Sequence, residues 1–388
     1  MIEKRALLRN LAFASGLALL AGCKVIPKGP PEQLPPARPE IEEPNAAHLP
    51  TDAQRHRVAL LLPMSGVNAG VGQSLANATT MALLDTNAST LRITSYDTAT
   101  GAQSAATRAI ADGNRLILGP LLGEDVTAVA SVARRARVPM ITYSNDSAVA
   151  APDVFVLGHV PAQAVARVVG FAKANGRDRV AALIPTGQYG QRASSALLAA
   201  ARSAGATVTG VESYDRGNTS ITSAAARLRA KGGYDAVLIA DGPRLAARAA
   251  PVVKPVGNGG ARILGTELWA LESASAPAPV LRGSWFAAVS DDHYRQFASS
   301  YRARFGREPH RIATLGYDSV LLAIRVSREW LPGTPFPTAR LSDPGGFLGL
   351  DGAFRFNRDN VAERSWEVRE VTATGSRPVS PAPARFGG

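Results

Sequence analysis

Five histidines, one cysteine and a scatter of hydroxyls and carboxylates are what this chain offers for chemistry. The histidines are His48, His56, His159, His293 and His310. No two stand four apart, so no helix can present them as a metal pair. Ser65 lacks the Gly-x-Ser-x-Gly turn that would raise it as a hydrolase nucleophile. Asp291-Asp292-His293 offers ligands to a cation, but reads better as a short polar loop ahead of a helix at Tyr294–Phe305. There is no Gly-x-x-x-x-Gly-Lys phosphate loop, and Gly257-Asn258-Gly259-Gly260 reads as a plain turn. The expectation is a non-enzymatic protein with no metal and no cofactor.

The thiol, Cys23, ends the run Leu20-Ala21-Gly22-Cys23. Upstream lie Lys4, Arg5 and Arg9, then an apolar stretch from Leu11 to Leu20. This is the order of a secretory signal. The apolar stretch is about half the roughly twenty residues that span a membrane. With cysteine at the junction it resembles a bacterial lipobox. That resemblance implies removal of residues 1–22 as a signal peptide and diacylglycerol on the Cys23 sulfur. Each buried CH₂ of such chains contributes about 0.8 kcal/mol to membrane attachment. Residues 23–55 then form a lipidated tether, with Pro27, Pro30, Pro31, Pro35, Pro36, Pro39, Pro44 and Pro50. A proline-rich chain reaches about 3.1 Å per residue, here about 100 Å. Lys24 stands where an Asp would resemble an inner-membrane retention signal, which favours the outer membrane within a periplasmic address.

Hydrophobic residues make up 46% of the 388-residue chain, which suits a globular α/β protein in two lobes rather than one. With Cys23 lipidated, the fold must stand without disulfides in an oxidising compartment. The formal charge is +12, and +10 once Glu3, Lys4, Arg5 and Arg9 leave with the signal. The cations are mostly scattered arginines with no aromatic-interleaved basic stripe, so nucleic acid is not the expected partner. An Arg-rich surface accounts for the balance; an anionic partner such as a membrane surface, wall polymer or acidic protein patch is the other reading.

The elements alternate. Val58–Leu62, Leu91–Tyr96, Leu116–Leu118 and Pro139–Thr142 read as buried strands, with helical spacing at Gly72–Asp85, Gln103–Ala111 and Val126–Ala136. The second half echoes the first: Arg179–Pro185 resembles Arg57–Pro63, Val237–Pro243 resembles Leu116–Pro120, and Arg262–Leu264 answers Pro139–Thr142. Two Rossmann-like parallel-sheet lobes follow, residues 56–158 with about 288–345 in lobe 1 and about 159–287 with 346–374 in lobe 2, joined by a hinge. Residues 375–388 are expected to be disordered. Ligands of open parallel sheets sit beyond the strands' carboxyl ends. Those ends are Pro63–Gly66, Gly119–Gly123, Tyr143–Asp146, Pro185–Gly190, Asp241–Arg244 and Gly265–Glu267.

From Arg57 to Thr374 the chain resembles the type 1 periplasmic solute-binding fold of the leucine/isoleucine/valine receptors. The residues that carry this are Leu62–Gly66, Gly119-Pro120, Tyr189-Gly190, Leu315–Asp318 and Gly349–Asn357. Ala59–Gly66 with Gly72-Gln73, Ile117–Leu122 and Tyr143–Asp146 are similar to the penicillin-binding protein activator lipoproteins, although only the tether precedes the fold here. The resemblance implies a cleft lined by Ser65, Gly66, Gly119, Leu122 and Gly123, by Ser144, Asn145 and Asp146, and by Tyr189, Asp241 and Glu267. In the amino-acid receptors two hydroxyls after the third and fourth strands hold the ligand carboxylate. Here those places fall near Gly123, which offers backbone N–H only, and Asp146, whose charge is expected to repel a carboxylate. Ser144 and Asn145 remain as donors. Glu267 stands as the ammonium partner and Tyr189 as an aromatic wall. Ser65 is equally readable as a helix N-cap, and Asn145 and Asp146 as turn residues. Two readings result. The first is a lipid-anchored activator of a peptidoglycan synthase; the alternative is a receptor delivering an amino acid or related small solute to an ABC permease.

Overall fold

The computed structural model describes residues 54–217, 220–254, 260–271 and 278–383, which belong to one compact unit, Pro50–Gly388. Cys23, the expected signal peptide at residues 1–22 and residues 24–53 of the expected tether lie outside the described residues.

Lobe 1 begins β1 (His56–Leu62), α1 (Ala69–Asp85), β2 (Leu91–Asp97), α2 (Ala102–Ala111), β3 (Leu116–Leu118), α3 (Gly123–Ala133), β4 (Met140–Thr142) and β5 (Val154–Val156). Its strands run in the order β2-β1-β3-β4-β5, all parallel. Val58, Leu60 and Leu62 enter the core under α1 on one face, while Ala59 and Leu61 enter a second core under α2 and α3 on the other. Burial on both faces is why β1 reads as an unbroken apolar run rather than an alternating one. Each leucine so buried contributes about 1.5–3 kcal/mol.

Lobe 2 follows with α4 (Pro161–Ala174), β6 (Arg179–Pro185), α5 (Gln188–Ala204), β7 (Thr207–Tyr214), α6 (Ser220–Lys231), β8 (Ala236–Ile239), α7 (Pro243–Val253), β9 (Arg262–Gly265), α8 (Leu268–Leu271) and β10 (Trp285–Val289). The order β7-β6-β8-β9-β10 repeats that of lobe 1. The internal echo is therefore a repeat of topology, with β6, β8 and β9 standing where β1, β3 and β4 stand. The chain then returns through α9 (Tyr294–Phe305) and α10 (Ala313–Ser327), which pack on α1 and the lobe 1 sheet. β11 (Phe347–Gly349), β12 (Gly352–Phe356) and β13 (Ala362–Arg364) form a small antiparallel sheet. β14 (Trp366–Val371) and β15 (Ser376–Ser380) close the molecule.

Two expectations are corrected here. Residues from 346 were assigned to lobe 2, yet Phe347, Phe354, Phe356 and Ala362 share the core of β1, α1 and α10. The aromatic side chains of this small sheet cover the open face of lobe 1, and only from Trp366 does the chain rejoin lobe 2. The tail was expected to be disordered from 375. Instead Ser376–Ser380 pairs with β14, and Arg167 of α4 donates to the Ser380 hydroxyl and carbonyl at 2.5 and 3.2 Å. A proline-containing segment is tolerated there because β15 is an edge strand.

The chain crosses between lobes after β5, after β10 and between β13 and β14. Around these crossings lies a buried polar cluster. Asp351 accepts from His159 Nε2 at 2.9 Å, Arg311 Nη1 at 2.6 Å and Thr314 Oγ1 at 2.9 Å. Arg364 Nη2 donates to the Leu157 carbonyl at 2.7 Å. Asp291 pairs with Arg311 at 3.5 Å and with Arg369. The Asp291-Asp292-His293 loop thus spends its first carboxylate on structural arginines. Among the described residues no three His, Cys, Asp or Glu side chains gather as a metal site, and no helix is long and apolar enough to cross a membrane.

Candidate functional site

The carboxyl ends of the strands present three groups of polar side chains. The first is on lobe 1. Ser65 follows β1 and donates its hydroxyl to Asp97 Oδ2 at 2.7 Å, while the Met64 N–H donates to Oδ1 at 2.8 Å. Burial works to raise the Asp97 carboxyl, but these bonds and one from the Ala99 N–H hold it below its usual range. Ser65 and Gly66 are exposed at the lip. Gly119 is buried. At φ +95° any Cβ there would lie 2.2 Å from the Leu61 carbonyl oxygen, so glycine is needed for the close approach of β3 to β1.

The second group bridges the lobes. Leu122 caps α3 in an extended conformation. A Cβ on Gly123 would sit 3.3 Å from Ser144 Oγ and 3.5 Å from Asp146 Oδ2, so the start of α3 faces both side chains. Ser144 is buried and accepts from the Asp146 N–H at 3.1 Å. Arg192, on α5 of lobe 2, reaches across. Its Nη1 donates to Asp146 Oδ2 at 2.9 Å and its Nη2 to Asn145 Oδ1 at 3.1 Å. The expectation that the Asp146 charge repels a ligand carboxylate is therefore corrected, because Arg192 pairs with it. The partner lies on the other lobe, where no local sequence pattern points to it.

The third group belongs to lobe 2. Tyr189 and Arg192, three apart on α5, share one face of the helix. Gly190 between them lets α5 start against β6, since a Cβ there would fall 1.6 Å from the Pro185 carbonyl oxygen. Tyr189 OH donates to Glu267 Oε1 at 2.9 Å and lies 3.0 Å from Thr266 Oγ1. Glu267 is 3% exposed. Its Oε2 is buried without a hydrogen-bond partner among the described residues. Burial pushes this carboxyl up to about 7, against the Tyr189 bond and the charge of Arg192. Asp241, after β8, is also buried; it accepts from Tyr214 OH and Arg216 Nε at 2.7 Å each. The Arg216 guanidinium in turn sits 5.3 Å from the centre of the Tyr189 ring. Tyr189 thus joins the two carboxylates into one cluster.

Asp97, Arg192, Tyr214, Arg216 and Thr266 are the members that the sequence reading did not single out. Asp97 carried a legible signal, since it directly follows the strand read at Leu91–Tyr96. The arginines did not, being two among many.

The chain matches the periplasmic binding protein family over residues 56–376. It belongs to that family. Solved structures similar to this periplasmic binding protein include the leucine-binding protein LivK of Thermotoga maritima, at 20% identity and TM-score 0.64 over 84% of this chain and 98% of that one. A branched-chain amino acid ABC transporter periplasmic ligand-binding protein of Burkholderia xenovorans gives 15% identity and TM-score 0.71 over 85% and 96%. A Rhodopseudomonas palustris ABC transporter solute-binding protein in complex with 3,4-dihydroxybenzoic acid gives 17% identity and 0.68 over 86% and 97%. At these identities the likeness is one of fold: two parallel-sheet lobes of the type 1 class. Among curated proteins, the uncharacterized protein RP748 of Rickettsia prowazekii is 30% identical over 142 residues, which is 36% of this chain and 38% of that relative. The match thus spans little more than a third of that protein's length.

Proposed function

We propose that this periplasmic binding protein holds a small solute between its lobes and delivers it to an ABC importer, without catalysing a reaction. The observation that carries the reading is the lobe 2 cluster, in which Tyr189 and Thr266 orient a buried Glu267 whose second oxygen lacks a partner among the described residues. Such an oxygen seeks a donor, as a ligand ammonium or hydroxyl would supply. Arg192 and Arg216 place positive charge around the same cluster, so a solute with both a donor and an anionic group suits it. Neighbouring structures named for branched-chain amino acids and for a hydroxybenzoic acid lie within that chemistry. A ligand at a hundred times its Kd stabilises the fold by about 2.7 kcal/mol. For a protein of this size that raises Tm by about 5 °C. A thermal-shift panel of amino acids, short peptides and benzoates should therefore contain at least one compound with a shift of this order; no shift across the panel would count against the reading.

A second reading has its own support. Arg192 of lobe 2 ties Asn145 and Asp146 of lobe 1 to it across the cleft, as an interaction module holding its lobes together would require. The likeness of Ala59–Gly66 and Tyr143–Asp146 to penicillin-binding protein activators leads to a peptidoglycan synthase as partner. Pull-down from solubilised envelope separates the two: permease subunits favour the importer, a synthase the activator.

The lipobox-like Leu20–Cys23 is the basis for anchoring through lipidated Cys23, with the outer membrane favoured by Lys24. Cys23→Ser should move the protein from the membrane to the soluble periplasmic fraction; retention of the variant in membranes would refute the anchor.

A further inference from the structure

Lobe 2 brings two arginines to the cleft, and the fold uses them differently. Arg192 spends both terminal nitrogens on lobe 1, Nη1 on Asp146 at 2.9 Å and Nη2 on Asn145 at 3.1 Å. Arg216 is placed by the sheet. Pro185, the last residue of β6, is in register with Tyr214, the last of β7, and Arg216 follows two residues later. Asp241 follows β8, on the other side of β6. The Arg216 side chain therefore crosses the carboxyl end of β6 to reach Asp241, where its Nε donates to Oδ2 at 2.7 Å. This end of the strands is where open parallel sheets hold their ligands.

The bond to Asp241 fixes the guanidinium by its inner nitrogen. The Asp241 side chain is 9% exposed and also accepts from Tyr214 OH at 2.7 Å and from the Gly242 N–H at 2.9 Å. Protein donors thus meet both of its oxygens. The Arg216 side chain is 43% exposed, and its two terminal nitrogens make no hydrogen bond among the described residues. Such a fork matches the two oxygens of a carboxylate. The same guanidinium lies over the Tyr189 ring, 5.3 Å from its centre. The hydroxyl of that ring holds Glu267, whose Oε2 is the buried acceptor without a partner among the described residues. An open pair of donors and an open acceptor thus stand at the face and at the hydroxyl end of one ring.

Lobe 1 has no matching opening at the start of α3, where the family resemblance puts the ligand carboxylate. A Cβ on Gly123 would lie 3.5 Å from Asp146 Oδ2. That corner holds a carboxylate of the protein itself, and Arg192 is already spent on it.

We propose that Arg216 is a specificity-determining residue of the cleft and takes the anionic group of the solute on lobe 2, the lobe that also takes its donor at Glu267. The solute is then a small carboxylic acid that carries an ammonium or hydroxyl as well, recognised at both groups by one lobe. The assignment rests on the solute reading above and adds which group meets which residue.

Calorimetric titration of the full chain with two pairs of probes tests it. The pairs are leucine with 3-methylbutylamine and 3,4-dihydroxybenzoate with catechol; within each pair only the carboxylate differs. At least one acid is expected to bind about 10- to 100-fold more tightly than its partner, as hydrogen bonds to a charged group would give. Arg216→Gln should bring that acid down to its partner's affinity and leave the partner's affinity where it was. Arg216→Lys keeps the charge without the fork, so it should retain only part of the preference; its loss carries the test if the glutamine variant folds poorly. An unchanged preference in both variants, or its loss in Arg192→Gln instead, would overturn the assignment and leave the solute reading in place. So would a partner that binds as tightly as its acid. If neither these probes nor the thermal-shift panel binds, the solute reading fails and the assignment falls with it.

Discussion

Asp351→Ala is expected to lower folding stability by about 3–5 kcal/mol, the cost of leaving buried charged partners uncompensated. The carboxylate is fully buried and receives hydrogen bonds from His159, Arg311 and Thr314. Burial works to raise it, yet the Arg311 guanidinium and the His159 bond hold it well below the usual carboxylate range. Without it, Arg311 keeps only Asp291 as an ion-pair partner among the described residues, at 3.5 Å. The groups around the site come from several elements: Asp318 and Thr314 on α10, Arg364 at the end of β13, Asp291 after β10 and Tyr294 on α9. Burial and the Asp351 charge raise the Asp318 carboxyl, so removing Asp351 also relieves a repulsion and moderates the loss. Chemical denaturation of Asp351→Ala beside Asp351→Asn measures the effect. A loss below about 1 kcal/mol for the alanine variant would show that the cluster is not a unit.

The second large effect has the opposite sign. Glu267 carries a carboxyl pushed by burial from 4.5 to about 7. The native state therefore holds its proton over a range in which the unfolded chain has released it. Stability from this group is fully present below about 4.5 and is lost as pH rises through about 7, where the charged form must sit in a buried place. The difference corresponds to about 3 kcal/mol. Glu267→Gln cannot ionise. The stability of the variant relative to the parent should rise by about that amount between pH 4.5 and about pH 8. The fixed cost of the new amide is the same at both ends and cancels. Denaturation curves at the two pH values test this, and a pH-independent difference would mean that Glu267 is solvated. On the proposed solute reading, the same variant should also weaken binding of the solute identified by thermal shift.

The architecture was legible because the central strands of the two sheets, β1 and β3 in lobe 1 and β6 and β8 in lobe 2, are short apolar runs. Both faces of these strands are covered, so their hydrophobicity is continuous and needs no long-range knowledge to see. The helix at Tyr294–Phe305 came out with its bounds, and the echo of Arg57–Pro63 in Arg179–Pro185 became a repeated strand order. Pro63–Gly66, Tyr143–Asp146 and Gly265–Glu267 were placed at strand ends by the same local rule, while the roles expected of Ser65, Asp146 and Glu267 within them came from the family resemblance.

What the amino-acid sequence by itself determined is the class of fold, the places where the chain turns at the strand ends, and the signal-like run closing at Cys23. These are local properties, set by period, glycine and proline. Only the tertiary structure decided that Arg192 neutralises Asp146, that Tyr189 joins Glu267 to the Arg216–Asp241 pair, and that Phe354 and Phe356 belong to lobe 1. Each of these pairs residues far apart in the chain. Which arginine meets which carboxylate depends on how two lobes and three crossings pack, and a guanidinium carries no mark in sequence of the partner it will reach.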